Sequence, residues 1–140
     1  MSIVRNIIIF SVLYSFCISV SCTQGVDKKS KYIYPTIESD SAFRSAIQSQ
    51  KYVVVDFWAI WCRPCQLFLS EYEDIAKKFH KKIAFYKLDV EQCPLTVQEY
   101  GTKMIPVIII YKNGKEIKRY VGLTAKERII IDLEEILKKE

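Results

Sequence analysis

Hydrophobic positions along the chain follow two different periods, which separate predicted strands from predicted helices. Residues Tyr52–Trp58 are β-branched and aromatic with almost no alternation, a pattern typical of a central strand covered on both faces. Further strands are predicted at residues 32–34, 83–90, 107–111 and 116–121. The dipeptide Asn113-Gly114 between the last two is a strong hairpin signal. The pattern therefore predicts five strands, the last pair forming a hairpin.

Four segments carry apolar residues at the helical spacings of three and four. They are predicted at residues 39–50, 62–79, 94–100 and from 124 to about 137. Ser39 or Asp40 can cap the first, and a capping box, Thr124 to Glu127, opens the last. The core-facing positions predicted for the two long helices are Leu67, Phe68, Tyr72, Ile75, Ala76 and Phe79, and Ile129, Ile130, Leu133, Ile136 and Leu137. The order β-α-β-α-β-α-β-β-α predicts an α/β fold with helices on both faces of a mixed sheet.

The first 22 residues have the three-part layout of a secretory signal. Arg5 supplies a basic start, residues 7–20 are mostly apolar but too short to span a bilayer comfortably, and small residues precede Cys22. Cys22 stands where a bacterial lipoprotein signal has its lipidated cysteine, although Ser19 replaces the usual Leu; plain cleavage is the alternative. We predict a signal peptide at 1–22, a polar tether at 23–31 and one domain at 32–140. The protein is expected to be exported, either periplasmic or membrane-anchored through a lipidated Cys22 and facing outside the cytoplasm.

Composition supports an ordinary globular domain, since half of the 140 residues are apolar and 26% are charged. The 21 basic residues outnumber the 16 acidic ones, giving a formal net charge of +5. They are spread along the chain apart from short runs such as Lys77-Lys78 and Lys81-Lys82. Helices often carry such pairs on a solvated face, so no nucleic-acid partner is predicted.

Cys62 and Cys65 form a C-x-x-C pair, which is typical of either a redox couple or half of a metal site. A structural zinc site needs four ligands, and beyond the signal peptide the chain offers only Cys93 and His80 in addition. The redox interpretation is favoured because the pair lies where a central strand ends and a helix begins. Unpaired N–H groups and the helix dipole stabilise a thiolate there, and Pro64 is tolerated in the first helical turn. No metal is predicted.

The segment Trp58-Ala59-Ile60-Trp61-Cys62-Arg63-Pro64-Cys65 resembles the active-site segment of thioredoxins, which usually reads Trp-Cys-Gly-Pro-Cys. The likeness covers about residues 32–137 and includes the motifs Val55-Asp56-Phe57, Lys87-Leu88-Asp89, Tyr100-Gly101, Ile105-Pro106, Lys112-Asn113-Gly114 and Val121-Gly122. The resemblance implies a thioredoxin-like fold, with a central mixed five-stranded sheet flanked by helices on both faces. It also implies a protein-disulfide reductase whose only redox group is the Cys62–Cys65 disulfide, with no other cofactor.

The resemblance assigns roles to individual residues. Cys62 would be the exposed nucleophile, and the more buried Cys65 would resolve the mixed disulfide. Asp56, an odd residue inside an apolar strand, would help take the proton from Cys65, with Lys87 as its neighbour.

Substrate docking is implied at two further places. Trp61 would shield the disulfide and extend the docking surface. Pro106 would form a cis peptide bond beside the cysteines, where Ile105 offers backbone groups to the substrate.

Several residues depart from the usual thioredoxin pattern. Arg63 replaces the usual Gly and is expected to stabilise the thiolate and shift the couple towards oxidising, although its charge opposes the helix dipole. Ser70 replaces a helix-kinking Pro, which predicts a straighter helix. Met104 and Val107 make the docking surface more apolar. Cys93, which in some animal thioredoxins can join two molecules, is expected here to be buried and inert.

The sequence thus favours a reductase or isomerase of disulfides in exported proteins. Its active site would be reset by a membrane protein that donates electrons outward. Two alternatives stay open: an oxidant that donates disulfides, which Arg63 and export favour, and a non-catalytic binding module with this fold.

Overall fold

A computed structural model of the chain describes residues 34–139, so the predicted signal peptide, Cys22 and the tether lie outside the described residues. In chain order its elements are β1 (Thr36–Ile37), α1 (Asp40–Ile47), β2 (Tyr52–Trp58), α2 (Arg63–Phe79), β3 (Ala84–Asp89), α3 (Pro94–Tyr100), β4 (Val107–Lys112), β5 (Lys115–Val121) and α4 (Lys126–Lys138). This is the predicted order, and the central strand has its predicted bounds.

The strands form one mixed sheet in the order β1-β3-β2-β4-β5. β1, β3 and β2 run parallel, whereas β4 and β5 are antiparallel to their neighbours. The β4–β5 turn places Asn113 at φ 51° and Gly114 at φ 74°, the left-handed conformation that a tight hairpin requires. The predicted five-stranded mixed sheet is confirmed.

Helices cover both faces of the sheet, as predicted. α2 and α4 pack on the face that carries Val54, whereas α1 and α3 pack on the face that carries Val53 and Val55. β2 contributes to both cores because successive strand residues point to opposite faces. Within residues 34–139, none of the helices is long and apolar enough to cross a bilayer.

The first strand was predicted at residues 32–34, of which the structure describes only Tyr34. Tyr34 lies outside any strand, and the edge strand is the two-residue β1. The ring of Tyr34 instead packs edge-on against Tyr72, with 5.0 Å between ring centroids. The carbonyl of Pro35 accepts a hydrogen bond from the backbone N–H of Lys87, so among the described residues pairing with β3 begins after Tyr34.

Two further predictions about the helices are wrong. Leu67, assigned to the core, is 62% exposed, because it lies about 100° around the helix from Phe68, which is buried. The predicted capping box does not form: α4 begins one residue later, with Ala125 as its N-cap and no side-chain capping bond. The carbonyl of Ala125 accepts from the N–H of Arg128 at 3.0 Å, which leaves Thr124 outside the helix.

Asp132 is a buried carboxylate that ties α4 to β5. The hydroxyl of Tyr120 donates to its Oδ2 at 2.6 Å, and Nζ of Lys118 lies 2.6 Å from the same oxygen. Arg128 Nε donates from one helical turn away at 3.2 Å. Burial raises the pKa of Asp132, but the hydrogen bonds from Lys118 and Tyr120 outweigh burial, and the pKa is lowered overall.

We expect Asp132→Asn to reduce the free energy of unfolding at neutral pH by about 1–3 kcal/mol, because the buried Tyr120 hydroxyl and the cations of Lys118 and Arg128 lose a charged acceptor. The pKa of Asp132 is lower in the folded than in the unfolded state, so this stabilisation is complete above the unfolded value and is lost as pH falls through the folded one. Urea unfolding at neutral and acidic pH measures it. Asp74→Asn, which removes an exposed ion pair with Lys126, is the control and should change little. Equal losses in the two variants would contradict the prediction.

Candidate functional site

Cys62 and Cys65 form a disulfide at the start of α2, with their Cα atoms 5.3 Å apart. Cys62 is the N-cap residue of the helix, and the backbone N–H of Cys65 donates to its Sγ at 3.2 Å. Pro64 lies in the first turn, where a missing N–H removes no helical hydrogen bond. The helix N-terminus thus directs an N–H group and its dipole at Cys62 Sγ, which favours a thiolate on that sulfur after reduction.

Exposure does not distinguish the two cysteines in the disulfide form. Cys62 is 4% exposed and Cys65 is 3% exposed, so the prediction of an exposed Cys62 does not hold in this state. The reason is that Trp58, Ala59 and Ile105 pack around both cysteines. The cysteines differ in hydrogen bonding, since only the Sγ of Cys62 receives the Cys65 N–H.

Exposed side chains surround the disulfide on the surface. Trp61 precedes Cys62 and is 64% exposed, and Ile60 beside it is also exposed. Arg63 is the first residue of α2 and is exposed as well, which places a cation next to Cys62 in sequence. The structure therefore presents Trp61 at the surface, where the sequence analysis expected a docking residue.

The loop before β4 completes the site. The Ile105–Pro106 peptide bond is cis, as the resemblance implied. Ile105 packs against the cysteine cluster, and Met104 beside it is exposed. The carbonyl of Pro106 accepts from the N–H of Gly122 at 2.8 Å, so the end of β5 holds this loop in place. A cis-proline loop and the disulfide thus share one end of the domain.

Asp56 and Lys87 lie on the face of the sheet that α2 covers. They are directly opposite each other on β2 and β3, and they are only 1% and 3% exposed. Lys87 Nζ lies 3.3 Å from the ring centroid of Trp58, a cation–π contact. Asp56 Oδ1 forms no hydrogen bond with the described residues.

The electrostatics of this pair suit proton transfer. Burial raises the pKa of Asp56 to about 7, although the positive charge of Lys87 opposes the rise. Burial lowers the pKa of Lys87, and the charges of Asp56 and Asp89 oppose that change. A carboxyl group that titrates near neutral pH can both accept and release a proton during turnover.

Two leucines near the site are exposed, and the sequence predicted neither of them as a surface residue. Leu67 lies on α2 two positions after Cys65, and Leu123 follows β5. Both line a depression of about 260 Å³ together with Phe68, Glu71, Thr124 and Ala125. The sequence did carry a signal that Leu67 is exposed: on a helical wheel its position lies away from the buried residues of α2.

Cys93 and metal binding complete the predicted chemistry. Cys93 is fully buried, and burial raises the pKa of its thiol to about 11, which matches the expected unreactive cysteine. No group of three or more metal-ligating side chains occurs within residues 34–139. Cys22, the predicted lipidation site, lies outside the described part of the chain.

Comparison with known proteins gives one consistent family. The thioredoxin family profile matches residues 35–135. The chain is 36% identical over 99 residues to a thioredoxin from Alicyclobacillus acidocaldarius, covering 71% of this chain and 94% of that protein. It is 34% identical over 93 residues to a thioredoxin from Rickettsia prowazekii, covering 66% and 89%.

Solved structures agree with the sequence relatives. The thioredoxin of Malassezia sympodialis aligns with a TM-score of 0.66 and 31% identity, covering 73% of this chain and 89% of that one. The thioredoxin of Plasmodium falciparum aligns with a TM-score of 0.63 and 28% identity, covering 75% and 97%. The sheet and the helices are therefore those of a known fold.

Proposed function

Because this chain belongs to the thioredoxin family, whose members are protein-disulfide reductases, we propose that it reduces or isomerises disulfides of exported proteins through Cys62 and Cys65. The observation that carries the proposal is the Cys62–Cys65 disulfide at the N-terminus of α2, with the Cys65 N–H donating to Cys62 Sγ. Thioredoxins work through their own cysteines, so the chain needs no further cofactor.

The reaction is two successive thiol–disulfide exchanges. In the reduced enzyme the Cys62 thiolate attacks a substrate disulfide; a bond forms from Cys62 Sγ to one substrate sulfur, and the other leaves as a thiolate. Cys65 then loses its proton to Asp56 and attacks Cys62 Sγ, releasing the second substrate thiolate. The substrate gains two electrons and the enzyme loses two. A dithiol on a membrane electron donor returns them and regenerates the reduced pair.

Export is supported by the sequence of residues 1–22. The basic start, the short apolar run and the small residues before Cys22 are features of a secretory signal. A lipidated Cys22 would hold the domain at a membrane, within reach of a membrane-bound donor.

Trapping tests both the reaction and the location of its substrates. In cells producing the full chain with Cys65→Ser, Cys62 should retain substrates as mixed disulfides, because the resolving thiol is absent. The control is the double variant Cys62→Ser/Cys65→Ser, which should trap nothing. Partners that carry export signals support the proposal. Partners confined to the cytoplasm would overturn the exported substrates while leaving the reductase chemistry intact.

The opposite direction, donation of disulfides, is the second candidate, and the exposed cation of Arg63 beside Cys62 favours it. Stabilising the thiolate stabilises the reduced enzyme and makes it a stronger oxidant. Equilibration of the couple with glutathione separates the directions: thioredoxins have potentials of about −270 mV, and the oxidant DsbA about −120 mV.

A further inference from the structure

Lysines are concentrated at the end of the domain opposite the disulfide. β2 begins at that end, the β4–β5 hairpin turns there, and α2 and α4 both end there, since each starts near the active-site end of the sheet. We call this group of lysines the basic pole: Lys51, Lys77, Lys78, Lys81, Lys82, Lys112, Lys115, Lys138 and Lys139. We propose that the basic pole is a contact surface for membranes rich in anionic phospholipids.

Part of this charge is neutralised by neighbouring carboxylates. Glu73 pairs with Lys77 at 2.9 Å, and Glu134 pairs with Lys78 at 2.8 Å. Within residues 34–139, no carboxylate forms an ion pair with the exposed Lys81, Lys82, Lys138 or Lys139. These lysines leave a positive potential that attracts a negatively charged surface.

A groove at the basic pole combines apolar and cationic residues, which suits a bilayer surface with its acyl chains and phosphate groups. It has a volume of about 370 Å³ and lies between the ends of α2 and α4. Phe79 and Leu137 supply its apolar lining, and the rest of the lining is the ion pair Lys78–Glu134 together with Lys81, Lys82 and Lys138. Lysine stems can lie along apolar surface while their ammonium groups reach phosphates, which is the arrangement at a lipid headgroup layer.

The chain enters the domain on the same side. Pro35, at the start of the described residues, lines a depression together with Ala76, His80 and Ile83 at the C-terminal end of α2. Cys22 precedes Tyr34 by 12 residues, which can span at most about 40 Å. A membrane anchored at Cys22 therefore lies within reach of the basic pole.

This orientation has a consequence for the disulfide. α2 has 17 residues and spans about 25 Å, with Cys62 at its start and the basic pole at its end. When the basic pole contacts lipid, the disulfide, Trp61 and the cis-proline loop face away from the bilayer. The inference goes beyond the proposed function, since lipid contact does not depend on the redox chemistry.

Vesicle sedimentation tests the proposal on the chain without residues 1–22, so that neither the apolar segment at residues 7–20 nor an acyl anchor contributes. The probes are phosphatidylcholine vesicles with and without phosphatidylglycerol. We expect Lys81→Gln/Lys82→Gln to weaken binding to the anionic vesicles about 25-fold, since each lysine near a negative membrane surface strengthens binding about fivefold. The matched control Arg44→Gln/Lys103→Gln removes two charges outside the basic pole and should retain binding.

A second readout uses the only two tryptophans, Trp58 and Trp61, which both lie at the active-site end. When the bound vesicles contain brominated acyl chains, the fluorescence of the two tryptophans should remain unquenched. Equal loss of binding in the two double variants, or quenching of the tryptophans, would overturn the proposal. So would displacement of the bound chain by a short RNA, which would assign the basic pole to nucleic acid. Insulin reduction by Lys81→Gln/Lys82→Gln is expected to be unchanged, so a failure here leaves the reductase assignment standing.

Discussion

Replacing Cys62 by serine is expected to reduce insulin-disulfide reduction to the rate of dithiothreitol alone. The hydroxyl of serine does not ionise near neutral pH and cannot form the mixed disulfide, so the first exchange is lost rather than slowed. The turbidity of precipitating insulin chains measures the rate. Retention of activity by Cys62→Ser would leave only a binding role or a different nucleophile.

Two cysteine variants make this experiment specific. Cys93→Ser is the matched control and should keep the wild-type rate, because that thiol is fully buried and its pKa is raised to about 11. Cys65→Ser should lose turnover yet still form a mixed disulfide with one substrate molecule. If Cys65 trapped substrate in the Cys62→Ser background, the assigned order of attack would be wrong.

Asp56→Asn is expected to stabilise the oxidised protein above pH 7 while slowing catalysis. Burial raises the pKa of Asp56 to about 7, so ionising it costs more in the folded than in the unfolded chain. A pKa that rises from 3.8 to about 7 corresponds to about 4 kcal/mol. Because that pKa already includes the opposing charge of Lys87, we expect a gain of up to about 4 kcal/mol in urea unfolding.

The pH dependence of stability tests the direction of this effect separately from its magnitude. Between about pH 4 and pH 7 the folded state of the wild type binds more protons at Asp56 than the unfolded state, so its stability falls as pH rises through this range. Asp56→Asn should remove that slope. Asp132→Asn is the matched comparison, because the pKa of Asp132 is lowered and its removal affects stability in the opposite direction.

The rate of catalysis should also depend on the Asp56 carboxyl group. In single-turnover measurements, Asp56→Asn is expected to slow the release of the mixed disulfide, which needs a deprotonated Cys65, and to leave the attack of Cys62 on substrate unchanged. If Asp56→Asn released the mixed disulfide at the wild-type rate throughout pH 5–8, the proton-acceptor role of Asp56 would be contradicted.

The sequence predicted most of the fold because the strongest signals agree with the tertiary packing. The uninterrupted apolar run Tyr52–Trp58 is buried at the centre of the sheet, and Asn113-Gly114 adopts the left-handed turn. Tyr34, which the sequence assigned to the first strand, is apolar for a different reason: its ring packs on Tyr72. A local hydrophobic pattern does not distinguish a side chain that is buried as part of a strand from one that is buried next to the sheet.

The site was predicted less evenly. Motif spacing located Cys62 and Cys65, whereas the cis-proline was expected only from the resemblance to thioredoxins; the antiparallel register places the start of β4 beside the end of β2. It did not predict that Cys62 is as covered as Cys65, because that depends on side chains packed from several segments. Nor did it predict the basic pole, whose lysines are separate in sequence and meet only when the helices end at one side of the sheet.

The two edges of the sheet differ in how they resist pairing with other chains. β1 has two residues, too few to template an added strand, and β5 carries Lys115, Lys118 and Arg119 along its length. Proteins whose disulfides need repair are often partly unfolded and expose strands of their own. Because both edges are blunted, we expect contact with such chains to be directed away from the sheet edges and to the loops around the disulfide.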